Sequence, residues 1–89
     1  MLVKDITVVN KLGLHARAAA KFVGLASEFK SDIVMAYDGR KVNGKSIMGV
    51  MMLAAAKGTV IQLSANGEDE TEALTRLEEL IQQRFGEEC

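Results

Sequence analysis

Ile33-Val34-Met35-Ala36-Tyr37-Asp38-Gly39-Arg40-Lys41-Val42 is the stretch on which the fold turns. Residues 33–37 are apolar and rich in β-formers, which predicts a strand. Asp38-Gly39 is the pair that a tight hairpin turn prefers, and residues 40–42 supply a short returning strand. Upstream, Ala19, Phe22, Val23 and Ala26 recur at helical spacing, so a helix is expected from residue 16 to about 27, with an Ala-rich face for close packing. Before it, residues 10–14 with Gly13 read as a loop, and Leu2, Ile6 and Val8 as a first strand.

Downstream, Asn43-Gly44 turns the chain and Ser46 opens a helical segment running to about residue 55. Its apolar residues fall on two faces: Ile47, Val50 and Leu53 or Ala54 on one, Met48, Met51, Met52 and Ala55 on the other. Lys57-Gly58 closes it, residues 60–65 read as a central strand, and Asn66-Gly67 is a further turn. The last element is an amphipathic helix. Ala73, Leu74, Leu77, Leu80 and Ile81 make its stripe, and Glu68, Asp69, Glu70 and Glu72 gather where the helix dipole favours negative charge. The order βαββαβα predicts an α+β sandwich of two layers, an antiparallel or mixed sheet with its helices on one face.

Eighty-nine residues, 48 % of them apolar, suit one domain spanning 1–89. So short a chain lacks the scaffold for a deep enclosed pocket, which favours a carrier or binding module over a complete enzyme. Cys89 alone builds neither a disulfide framework nor a metal cage, so a reduced thiol and a cytoplasmic location are expected, with no metal or cofactor. Lys4 and Asp5 interrupt the apolar start, and no stretch approaches the length needed for direct membrane insertion. Charge is unevenly spread. Lys4, Lys11, Arg17, Lys21 and Lys30 dominate the first 30 residues, whereas residues 60–89 hold eight acids against Arg76 and Arg84. The basic end is too sparse and too poor in aromatics for nucleic acid, but suits a phosphate or an acidic protein surface.

His15 is the only histidine. By default such a residue is an ordinary side chain, but this one follows a Gly-containing loop and directly precedes a helix. It therefore lies beside the free N–H groups of Ala16 and Arg17, where anions bind and where the dipole disfavours a second positive charge. A neutral imidazole has a lone pair with which to attack phosphorus, and Arg17 offers a planar fork of donors to phosphate oxygens. Hydrolysis fits poorly, because the chain has no second histidine, no nucleophile–base pair and no metal-ligand cluster.

Leu12-Gly13-Leu14-His15-Ala16-Arg17-Ala18-Ala19-Ala20 resembles the phosphohistidine signature of the HPr family, the phosphocarriers of the bacterial phosphoenolpyruvate-dependent phosphotransferase system. The likeness extends through Gly44-Lys45-Ser46-Ile47-Met48-Gly49 and Ala56-Lys57-Gly58-Thr59, and over essentially the whole length. It implies an open-faced β-sandwich, a four-stranded antiparallel sheet with three helices on one face. It also implies that His15, through Nδ1, accepts phosphate from phosphorylated Enzyme I and passes it to a histidine of an EIIA domain, in sugar uptake or its regulation. Such a chain is a stoichiometric carrier rather than an enzyme, and a monomer. Ala18 stands where HPr proteins commonly have proline, which should leave the start of the helix a little less rigid.

Ser46 reads in two compatible ways: as an ordinary N-cap, stabilising by about 1 kcal/mol, and, from the resemblance, as the serine modified by HPr kinase/phosphorylase. A single sheet covers only one side of its helix, so Met48, Met51 and Met52 are expected on the surface, with Ile47 at the border. Flexible methionines suit several unlike partners, and Lys21 and Gly24 of the first helix are placed on the same docking surface. The competing reading is a regulatory module of the same fold that binds through Ser46 and the Met face without carrying phosphate.

Overall fold

The computed structural model describes residues 1–87. Cys89, whose thiol the sequence reading places in a reduced state, lies outside the described residues. Four strands and three helices occur in the expected order: β1 (Leu2–Thr7), α1 (Ala16–Ala26), β2 (Asp32–Tyr37), β3 (Arg40–Asn43), α2 (Ile47–Met52), β4 (Val60–Asn66) and α3 (Glu70–Gln82). A short 3-10 turn, Arg84–Gly86, follows α3. The sheet order is β1-β4-β2-β3 and every pairing is antiparallel, with Ile6 opposite Ile61 and Met35 opposite Leu63. The hairpin forms as expected: Asp38 (φ 52°) and Gly39 (φ 76°) both take the left-handed conformation that matches strand twist.

The helices pack on one face of the sheet. Ile6, Ile33, Met35, Ile61, Leu63 and Ala65 point into that layer and meet Ala18, Ala19 and Phe22 of α1, Val50 of α2 and Leu77 and Ile81 of α3. Alternate strand residues such as Val3, Val34, Ala36, Gln62 and Ser64 face away and are open to solvent or half-buried. β4 is central, as its pattern predicts. No helix among the described residues is long and apolar enough to cross a membrane.

The structure corrects several details. Leu2 is exposed, and Val8, buried, lies just past the end of β1. On α1, Ala18 is fully buried, while Val23 is only partly so. α2 is shorter than its apolar run. After the C-cap at Leu53, Ala54 adopts φ 52°, leaving Ala54 exposed, and Ala55 belongs to the core rather than to the Met face. The cause is tertiary: the Leu14 N–H donates to the Ala55 carbonyl at 3.0 Å, a bond that outweighs the helix preference of alanine.

That contact fixes the loop before α1. Gly13 has φ 65°, and a Cβ there would fall 2.4 Å from the Ala55 carbonyl oxygen and 2.9 Å from the Ala56 Cα, so only glycine fits. Asn10 holds the loop from beneath by donating its Nδ2 to the Gly13 carbonyl at 2.8 Å. At the opposite end of the molecule the Asp69 carboxylate accepts from the Ser31 hydroxyl and from the Lys30 and Ser31 backbone N–H groups, joining α3 to the turn before β2.

Candidate functional site

The loop just described ends at His15, the N-cap residue of α1, with extended backbone (φ −73°, ψ 177°). Its side chain makes no capping hydrogen bond, and the first turn holds no acidic residue. A serine or aspartate here would fill one of the free N–H groups and add about 1 kcal/mol. His15 forgoes that. The first bond within the helix runs from the Ala19 N–H to the His15 carbonyl at 2.8 Å, so the N–H groups of Ala16, Arg17 and Ala18 have no helical partner. The end of the helix is thus left open with its partial positive charge, an arrangement suited to an anion.

His15 shares an open cleft of about 630 Å³ with Lys11, Leu12, Ala16, Arg17 and Glu87. Arg17 is exposed, and its guanidinium enters no hydrogen bond or ion pair among the described residues, so its donors face the cleft unspent. The ring of His15 is half-buried, and its Nε2 is hydrogen-bonded to Oε2 of Glu87. The other carboxylate oxygen, Oε1, accepts from Nδ2 of the buried Asn10 at 3.0 Å. These bonds, Asn10's first and His15's second, hold the Glu87 carboxyl below the ordinary glutamate range, against the opposing effect of desolvation. It is therefore an ionised acceptor at neutral pH.

Glu87 reaches this place through an unusual backbone. Arg84, Phe85 and Gly86 are all left-handed, with φ of 57°, 54° and 79°. A non-glycine residue in that conformation costs about 1–2 kcal/mol, and two of the three are not glycine. Phe85 offsets much of this by burying its ring completely, worth about 1.5–3 kcal/mol. Its carbonyl also accepts from Lys21 Nζ at 2.6 Å. The tail is pinned by its phenylalanine, and the carboxylate is delivered to the histidine.

The reading from sequence placed His15, Arg17 and the N–H groups of Ala16 and Arg17 together, and they are together. It did not include Glu87, Asn10, Lys11 or Leu12. It counted only the dipole at His15, whereas the acidic end of the chain also brings a carboxylate onto the ring. Ser46 caps α2, its Oγ accepting from the Gly49 N–H at 3.1 Å. Met48 (73 % exposed), Met52 (65 %), Ile47 (44 %) and Met51 are on the surface, and α1 packs against α2. Lys21 and Gly24 are exposed on α1, with Lys21 engaged by the tail. Among the described residues no three His, Cys, Asp or Glu side chains cluster as metal ligands.

A family model for the PTS HPr component phosphorylation site matches residues 2–83. The chain belongs to the HPr family. The phosphocarrier protein HPr of Neisseria meningitidis serogroup A is 58 % identical over 87 residues, covering 98 % of each chain. Among solved structures, HPr-C-His from Thermoanaerobacter tengcongensis superposes with a TM-score of 0.96 at 52 % identity over the full length of both chains. An HPr dimer from the same organism matches at 54 % identity and a TM-score of 0.79, covering 92 % of this chain and 94 % of that one. These matches bear out the four-stranded antiparallel sheet with three helices on one face.

Proposed function

We propose that this HPr-family chain is a stoichiometric phosphoryl carrier working in the cytoplasm, with His15 as the residue that bears the phosphate. The observation that carries the reading is a lone histidine at a helix N-terminus that its own side chain does not cap, sharing one open cleft with an arginine that has no partner among the described residues. A ring nitrogen of His15 attacks the phosphorus of a donor phosphohistidine on Enzyme I. The donor N–P bond breaks and its electron pair returns to the donor ring. Arg17 and the N–H groups of Ala16 and Arg17 then face the charge that has arrived. The reverse sequence hands the group to a histidine of an EIIA domain. An open cleft suits this role, because the partner's ring has to approach in line, and the partner supplies the rest of the catalytic apparatus.

The docking surface comprises Ile47, Met48, Met51 and Met52 of α2 with Lys21 and Gly24 of α1, and the carrier acts as a monomer. Ser46 stands at its border. A phosphate placed on Ser46 by an HPr kinase/phosphorylase brings about −1.5 to −2 charges to that border and weakens association with an acidic partner. Incubation with phosphoenolpyruvate and Enzyme I tests the reading. An acid-labile phosphate should form on the wild type and be absent from His15→Ala; an unlabelled wild type refutes carriage, and a labelled mutant refutes His15 as its site.

A further inference from the structure

Two nitrogens of an imidazole compete for any electrophile, and a carrier needs one of them selected and presented in a fixed direction. In this chain the Nε2 side of His15 is occupied. Glu87 Oε2 accepts a hydrogen bond there, and the carboxylate that supplies it is itself held from behind by Asn10 at 3.0 Å. Asn10 has no freedom to turn. It is wholly buried, and both hydrogens of its Nδ2 are committed, one to Glu87 and one to the Gly13 carbonyl at 2.8 Å. A reversed amide would place its oxygen against two acceptors. Its Oδ1 finds no protein partner among the described residues, so the amide is oriented for what Nδ2 does.

We propose that Glu87, backed by Asn10, is a positioning residue for His15. It fixes the ring through Nε2–H and leaves the Nδ1 lone pair as the nucleophile. The logic is that of a base oriented by a third group. An ionised carboxylate has no proton to give, so Nε2 carries the hydrogen in the neutral ring and the lone pair lies on Nδ1. During transfer the Nδ1–P bond forms while the donor N–P bond breaks, and the electron pair goes to the donor nitrogen. No proton moves at Nε2. The phosphorylated ring keeps its Nε2–H and gains positive charge, which the Glu87 carboxylate neutralises. The left-handed tail and buried Phe85 provide the mount on which this carboxylate is held.

The inference rests on the phosphoryl-carrier reading for its purpose, but its geometric half is testable without any phosphate. Nitrogen chemical shifts of the His15 ring in the free protein, recorded where the imidazole is neutral, should show a single Nε2–H tautomer in the wild type. Glu87→Ala should show a mixture. Glu87→Gln keeps an acceptor oxygen without the charge and should restore the single tautomer. Phosphorylation by Enzyme I should slow by roughly 10-fold in Glu87→Ala, with phosphohistidine lifetime shortened in both variants. Thermal unfolding of each variant, read by circular dichroism, separates positioning from loss of fold. Wild-type tautomer and wild-type rate in a folded Glu87→Ala protein overturn the proposal. A wild type that shows the single tautomer but takes no phosphate overturns the carrier reading while leaving the positioning geometry in place.

Discussion

Gly13→Ala is the substitution that most directly tests how the fold presents His15. The residue sits at φ 65°, and its missing Cβ would lie 2.4 Å from the Ala55 carbonyl oxygen. Two costs follow. Holding alanine in the left-handed region costs about 1–2 kcal/mol. Relieving a clash with rigid backbone, at a joint where the Leu14 N–H bonds the same carbonyl, costs about 1–3 kcal/mol more. The sum is about 2–5 kcal/mol, and a domain of this size loses about 4–8 °C in Tm for each kcal/mol. Thermal unfolding followed by circular dichroism should therefore show a fall of at least about 8 °C. The same measurement on Gly24→Ala supplies the contrast: a Cβ there meets nothing within 4 Å, on an exposed helical face, so its Tm should not fall. A Gly13→Ala protein melting within about 3 °C of the wild type would refute the claim that this loop is fixed by backbone contact.

Arg17→Ala should leave the fold intact and slow phosphorylation by Enzyme I by roughly 10- to 100-fold, the usual cost of removing one donor to developing charge; an unchanged rate in a stopped-flow assay removes Arg17 from the site. Met48→Ala with Met52→Ala should shift stability by less than about 0.5 kcal/mol, both side chains being exposed, yet weaken binding to Enzyme I by roughly 10-fold in calorimetry. Asp69 gives an acid-stability prediction. Its carboxyl is held below the ordinary range by the Ser31 hydroxyl and then by the Lys30 backbone N–H. The unfolded chain therefore binds the proton first, and the stabilisation is complete above about pH 4 and disappears as pH falls through the depressed folded value. Asp69→Asn should lose stability near neutral pH and show a flatter acid limb in urea titrations.

Much of the fold was legible in the sequence because its signals are local. Asp38-Gly39 specifies its own turn, the stripes of α1 and α3 are read within a few residues, and His15 announces itself by standing between a loop and a helix. What was hidden depends on distant contacts. α2 ends early because Leu14 claims the Ala55 carbonyl, a demand no alanine run reveals. Glu87 meets His15 across 72 residues. Arg84 and Phe85, which carry it there, would ordinarily extend a helix rather than take left-handed backbone. Gly86, just past the apolar stripe, was the one available cue that the chain turns.

The position of β4 bears on how the protein is made. β1 occupies a sheet edge and pairs only with β4, Leu2 opposite Ala65 and Thr7 opposite Val60. A nascent chain growing at about 5–20 residues per second therefore emerges with its first strand some 3–12 s ahead of the only neighbour that strand can join. The β2–β3 hairpin can close meanwhile, but β2's other edge also waits for β4. The sheet cannot be complete until β4 lies between two strands already synthesised, and until then the edges of β1 and β2 that pair with it are open to whatever the ribosome's surroundings offer.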